Sequence, residues 1–226
     1  MRSPDFEKST ELATELLYNQ NIKNRILDIR KLNYGKKKII FDSIQNYSKV
    51  VNRPLTDFLS QDNHILKDGC TLVLSSRDYL ILYNDQIRNW EHLNWTLAHE
   101  VGHIYMEHIE DGPIEEIEAH YFAAQLFMPE YSILMMQKEH GSIKSDDLIE
   151  IFGVSPEAAA RRINTMRKRC FFRASAIDKE IWGIQKDRVD LYYNCNRDRY
   201  KYRNTLDIML YMDSIYEDEF FREAYI

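Results

Sequence analysis

The sequence predicts an α+β fold, mainly helical with one small β-sheet, and three observations predict it. Apolar residues recur at helical spacing through most of the chain. Two short adjacent runs, Thr71 to Ser75 and Tyr79 to Tyr83, carry the aliphatic and aromatic density of strands, and they follow the turn signal Asp68-Gly69. Seven Gly and five Pro in 226 residues leave no room for a long flexible linker, and 44% hydrophobic with 29% charged residues is ordinary globular composition. A chain of this length buries a core without disulfide staples.

Taken in order, Phe6 to Tyr18 reads as a helix because Leu12, Leu16 and Leu17 recur at helical spacing. A second helix is expected over Lys38 to Val51, stopped before Arg53-Pro54 because Pro disfavours helix in the residue ahead of it. The two strand-like runs are separated by Ser76-Arg77-Asp78, so a hairpin or small meander is expected. Ile87 to His108 reads as one long helix ended by Asp111-Gly112-Pro113, and Ile114 to Met128 as a largely buried helix ended by Pro129. Asp146 to Phe152 is a short helix closed by Gly153. Ser155-Pro156-Glu157 then starts a helix to about Arg169, with a cap residue followed by Pro at the first helical position. After Cys170 tyrosines and paired charges accumulate, with a strand expected near Val189 to Tyr193 and a last amphipathic helix from Thr205 to about Glu223. Residues 1–170 are expected to form the main domain and 171–226 a C-terminal accessory region.

Charge and cysteine content narrow the function. A net charge of −6 and a pI near 5.7 argue against a general nucleic-acid-binding surface, which needs a surplus of Lys and Arg. Cys70, Cys170 and Cys195 are odd in number, widely spaced and without a C-x-x-C pair, so free thiols are expected rather than disulfides or a thiolate zinc site. The N-terminus lacks a signal-peptide apolar run and no segment is long enough to span a bilayer, so a cytoplasmic location is expected.

The run His99-Glu100-Val101-Gly102-His103 carries the chemistry. On a helix, residues i and i+4 lie one turn apart on one face, so His99 and His103 can point at one metal ion, with Glu100 beside them. Trp95-Thr96-Leu97-Ala98 before it and Ile104-Tyr105-Met106 after it make the helix largely buried, where two histidines need partners. At about 100° per residue, His108 falls about 180° from His99; His92 lies about 10 Å and Glu107 about 12 Å along the axis, so none of the three is a ligand. The third ligand must come from the next helix. An antiparallel pair places Glu118 opposite His103, with Glu115 its main competitor one turn earlier; Glu115 and Glu116 otherwise read as acidic residues favoured at a helix N-terminus.

These residues resemble a known family. Trp95-Thr-Leu-Ala-His99-Glu-Val-Gly-His103, followed by Glu118-Ala-His-Tyr-Phe-Ala-Ala-Gln-Leu-Phe-Met-Pro129, resembles the ImmA/IrrE metallo-endopeptidases, and the second block is the more specific. The resemblance runs from about Asp68 to Arg169 and implies a zincin-like peptidase domain; the segment over 145–170 itself reads as helix-turn-helix-like. It carries the zinc-ligand role onto Glu118, beside His99 and His103, with Glu100 as catalytic base and Zn2+ as cofactor. His120 stands where the family commonly has Asn and is not expected to be a fourth ligand.

The resemblance also implies a substrate: a helix-turn-helix repressor of a phage or mobile element, cleaved to relieve repression. An alternative is a non-proteolytic antirepressor or sensor that binds its regulator through the same fold. Asp146 to Arg169, with Arg161, Arg162, Arg167, Lys168 and Arg169 at its basic end, reads either as a DNA contact or as a helix pair closing the peptidase core; the second reading is preferred.

Overall fold

In a computed structural model of the chain, which describes residues 2–20, 26–60, 65–110, 112–168 and 174–196, helix α1 (Phe6–Tyr18) begins where the Asp5 carboxylate accepts the Lys8 N–H at 2.9 Å. Ala13, Leu16 and Leu17 bury its inner face. The stretch expected to be one helix over 38–51 divides instead. Lys38–Ser43 is strand β1, and α2 (Ile44–Val51) starts only after Ser43, whose hydroxyl accepts the Asn46 N–H at 3.0 Å. The physical reason lies in Ile39-Ile40-Phe41, β-branched and aromatic side chains suited to a half-buried pleat, with a strand partner waiting farther along the chain.

That partner is β3 (Asp78–Tyr83), preceded by β2 (Gly69–Val73). β1 joins β3 in parallel with Phe41 opposite Ile81, and β2 joins it antiparallel with Thr71 opposite Ile81, giving the order β1-β3-β2. The expected hairpin is therefore present, within a mixed three-stranded sheet. Successive residues of β3 face opposite sides: Ile81 enters the main core, whereas Leu82 meets Ile44 and Phe58 in a smaller cluster.

Helix α3 (Trp90–Met106) is capped by the Asn89 side chain, which accepts the His92 N–H at 2.8 Å, and ends at Glu107 in a left-handed conformation, φ 62°. α4 (Pro113–Phe127) starts with Pro at its first position, where a missing N–H costs no helical bond. A close approach fixes how these two helices meet. A β-carbon on Gly102 would stand 3.0 Å from the Ala119 carbonyl oxygen and 3.1 Å from its Cα, so only glycine allows the spacing seen.

Pro129 ends α4 as expected, but a helix unmarked by the sequence pattern follows at once, α5 (Glu130–His140). The expected helix-turn-helix-like pair is α6 (Ser145–Phe152) and α7 (Pro156–Lys168). Its inner residues Leu148, Ile151, Phe152, Ala159 and Ile163 are all buried in the main core. Arg162 is only 2% exposed; its Nε donates to the Met128 carbonyl at 3.0 Å and its Nη2 to Gln125 Oε1.

The last described element is α8 (Ala176–Cys195), where the sequence pattern predicts a strand over Val189 to Tyr193. Ile181, Trp182, Gln185, Val189 and Tyr193 are buried, a spacing of three and four that makes one helical face, and a Ser175–Asp178 capping box starts it. α8 packs on α1 and α5, so residues assigned by sequence to an accessory region join the main core. The helix expected over 205–223 lies outside the described residues. Among those residues there are eight helices and the three-stranded sheet. No described helix is long and apolar enough to cross a membrane, and Cys70 and Cys195 are free thiols.

Candidate metal centre

α3 sets His99 and His103 one turn apart on the face turned to α4, and their Nε2 atoms converge to 3.0 Å. From α4, Glu116 closes the group: Oε2 lies 3.2 Å from His99 Nε2 and Oε1 3.4 Å from His103 Nε2. Two donors on a tetrahedral ion with bonds of about 2.0–2.1 Å stand about 3.3 Å apart. The three separations bracket that value, and two imidazoles with one carboxylate are a donor set suited to Zn2+. His103 first and then His99 pull the Glu116 carboxyl well below the usual carboxylate range, so it is ionised at neutral pH. The histidine side chains are 12% and 10% exposed and that of Glu116 44%, which leaves one side of the group open to solvent.

Glu118, expected as the third ligand, does not join the histidines. Two residues along a helix turn about 200°, so Glu116 and Glu118 face nearly opposite ways, and only one can face α3's histidine pair. The Glu118 side chain is fully buried on the α1 side. Its Oε1 accepts the Asp5 N–H at 2.6 Å, and its two oxygens accept Arg2 Nη2 at 2.8 and 3.0 Å. Burial alone would raise its pKa, but the Asp5 N–H, His108 and Arg2 outweigh that and lower it. Glu115, the other carboxylate considered, also turns to Arg2, at 3.6 Å.

Glu118 nonetheless reaches the centre through another residue. His108 Nε2 lies 2.9 Å from Glu118 Oε2, and His108 Nδ1 lies 3.0 Å from His103 Nδ1. With His103 Nε2 turned to the metal donors, one proton arrangement satisfies the chain: His103 Nδ1–H donates to His108 Nδ1, and His108 Nε2–H donates to Glu118. Such outer partners hold a ligating imidazole in one tautomer and one orientation. His108 is not one of the three converging donors, and it reaches His103 because the helix ends at Met106 and the left-handed Glu107 folds His108 back. His99 has no matching support; its Nδ1 is buried without a hydrogen-bond partner among the described residues.

Glu100 is buried beside the pair, and its Oε2 accepts the Thr71 hydroxyl from β2 at 2.7 Å. Gly69, on the same strand, lets it sit there: a β-carbon would come within 2.8 Å of Thr96 Cγ2 and 3.3 Å of Glu100 Cγ. His92 is occupied elsewhere, 2.8 Å from Asp68 Oδ2, and Glu107 is exposed beyond the helix end. His120 lies one turn beyond Glu116 on α4, and its ring centroid is 4.2 Å from that of His99; it is not among the converging donors. That shared i, i+4 face of Glu116 and His120 is the signal in the sequence that could have selected Glu116.

A comparison with curated proteins finds no match. Residues 55–164 match the family model described as Peptidase_M78, IrrE N-terminal-like domain, a span from the segment before β2 into α7 that holds His99, Glu100, His103 and Glu116. Through that domain the chain belongs to the ImmA/IrrE family of metallopeptidases.

Proposed function

We propose that the chain is a zinc-dependent endopeptidase that cleaves a regulatory protein, with His99, His103 and Glu116 as metal ligands and Glu100 as the catalytic base. The observation that carries this reading is the convergence of three donors from two helices within 3.0–3.4 Å, with a carboxylate held beside them by Thr71. Zn2+ held by these three donors would supply a Lewis acid for the peptide carbonyl and bring the pKa of a bound water down to about 7. Glu100 takes the proton of the attacking water and returns it to the leaving amine. The Thr71 hydroxyl restricts the carboxylate to one orientation, and Gly69 leaves room for its stem. Glu118, through His108, fixes the His103 ring for the same task.

The substrate class, a helix-turn-helix repressor, rests on the resemblance of the two motif blocks to peptidases of that kind. Membership in a peptidase family implies a protein substrate of some sort. The α6–α7 pair serves the peptidase core in this account. Arg162 is spent on Met128 and Gln125 rather than offered to DNA, which counts against the operator-binding reading of 146–169.

Coexpression with the helix-turn-helix regulator encoded nearest its gene tests the proposal. The wild-type chain should yield a cleavage product, and Glu100→Gln should bind zinc equally well but yield none. Relief of repression by Glu100→Gln without cleavage would instead establish an antirepressor that works by binding.

A further inference from the structure

Next to the metal donors lies a cavity of about 240 Å³ that no catalytic role absorbs. Its wall is continuous with the centre through α4. Ile117 follows the ligand Glu116, and His120, whose ring packs on His99, lines the cavity one turn farther on, before Ala124. Trp95 from α3 and Ala158 from α7 close the sides. The charged groups of the lining are largely committed: Arg161 Nη2 pairs with Glu157 at 2.6 Å, and Arg162 gives Nε to Met128 and Nη2 to Gln125 beneath the Tyr121 ring, 5.6 Å away, which leaves its buried Nη1 without a hydrogen-bond partner among the described residues. What remains for an occupant is mostly hydrocarbon and aromatic surface.

Size decides what fits. A cavity of about 150 Å³ lined by aliphatic and aromatic side chains already admits benzene, and pockets for whole drug-sized molecules start near 300 Å³. The space therefore holds one benzene-sized group, such as a large apolar side chain, and is smaller than a pocket for a whole drug-sized molecule. We infer that this cavity is the subsite that receives a large apolar side chain, of the Leu, Met or Phe class, flanking the peptide bond to be cut. The inference rests on the peptidase reading above and adds to it the residue class that the enzyme selects.

Two measurements on the full chain test it. In the first, N-acetyl-phenylalanine amide is titrated into metal-free protein, followed by tryptophan fluorescence, to which Trp95 in the cavity wall contributes, against N-acetyl-alanine amide as control. Saturable binding of the phenylalanine compound is expected, at least tenfold tighter than the control, and Ala124→Phe, which fills the cavity, should abolish that difference. In the second, the zinc-loaded chain digests a mixed peptide library. One fixed position beside the cut bond should be enriched in large apolar residues, and Ala124→Phe or, if that variant does not fold, Ala158→Leu should shift it to small ones. No enrichment, enrichment in Asp or Glu facing Arg162, or a preference unmoved by a folded cavity-filling variant would overturn the subsite. Amide binding that behaves as expected in a chain that cuts no peptide would leave the cavity an apolar binding site and remove the peptidase reading alone.

Discussion

At the scale of single residues, the account turns on which carboxylate of α4 meets the histidines. Glu116→Gln should leave the fold intact and lower zinc affinity by orders of magnitude, read by competition with a chromogenic chelator. Glu118→Gln keeps all three donors but breaks the support of His103, so it should cost about 10–100-fold in the same assay, the usual effect of losing an outer-shell partner. Glu118 also makes an acid-stability prediction. Its pKa is depressed in the folded chain, so its contribution is present above the ordinary carboxylate pKa of about 4.3 and is lost as pH falls through the lower folded value. Thermal melts of wild type should therefore fall more steeply below about pH 4 than those of Glu118→Gln. The His99-Glu100-His103 constellation was legible in the sequence because a single helix fixes its geometry. The carboxylate that meets the two histidines was not. Distance along α4 favours several carboxylates, whereas the 200° between Glu116 and Glu118 matters only once the rotation of α4 against α3 is known. That rotation is set by contacts remote in sequence, above all Gly102 against Ala119 and α1 against the far side of α4.

At the scale of elements, Gly102 is the position where one side chain would separate the two helices that carry the donors. Gly102→Val should destabilise the chain by about 1–3 kcal/mol through overpacking, measured by urea unfolding, and should weaken zinc binding as Glu116 draws back. Elements whose signals were local came through the sequence well: α1, the β2–β3 hairpin, α3, α4, α6 and α7 begin and end within a few residues of expectation because Asn89, Pro113, Gly153 and Pro156 punctuate them. The failures share a different cause. β1 has apolar residues that satisfy either period and becomes a strand because β3 lies beside it, while the Val189 to Tyr193 run becomes helix because its buried face continues that of Ile181, Trp182 and Gln185. In both places tertiary packing chose between two locally acceptable conformations.

At the scale of the whole molecule, α1 packs against both helices of the candidate site, and α8 packs in turn on α1. α1 supplies the Asp5 N–H that anchors Glu118, and α8 covers α1 and α5 with Ile181, Trp182, Val189 and Tyr193. At about 1.5–3 kcal/mol for each large apolar side chain taken from water, that face alone approaches the 5–15 kcal/mol that keeps a typical domain folded. A chain ended at residue 170 should therefore lose cooperative unfolding and stoichiometric zinc binding together, as followed by circular dichroism and metal analysis. The central claim, that α3 and α4 form one zinc site through His99, His103 and Glu116, is tested most directly by anomalous diffraction at the zinc edge from crystals of the metal-loaded chain. The account predicts one strong peak within about 2.0–2.2 Å of both Nε2 atoms and a Glu116 oxygen; a peak bonded to Glu118, with Glu116 turned to solvent, would contradict it.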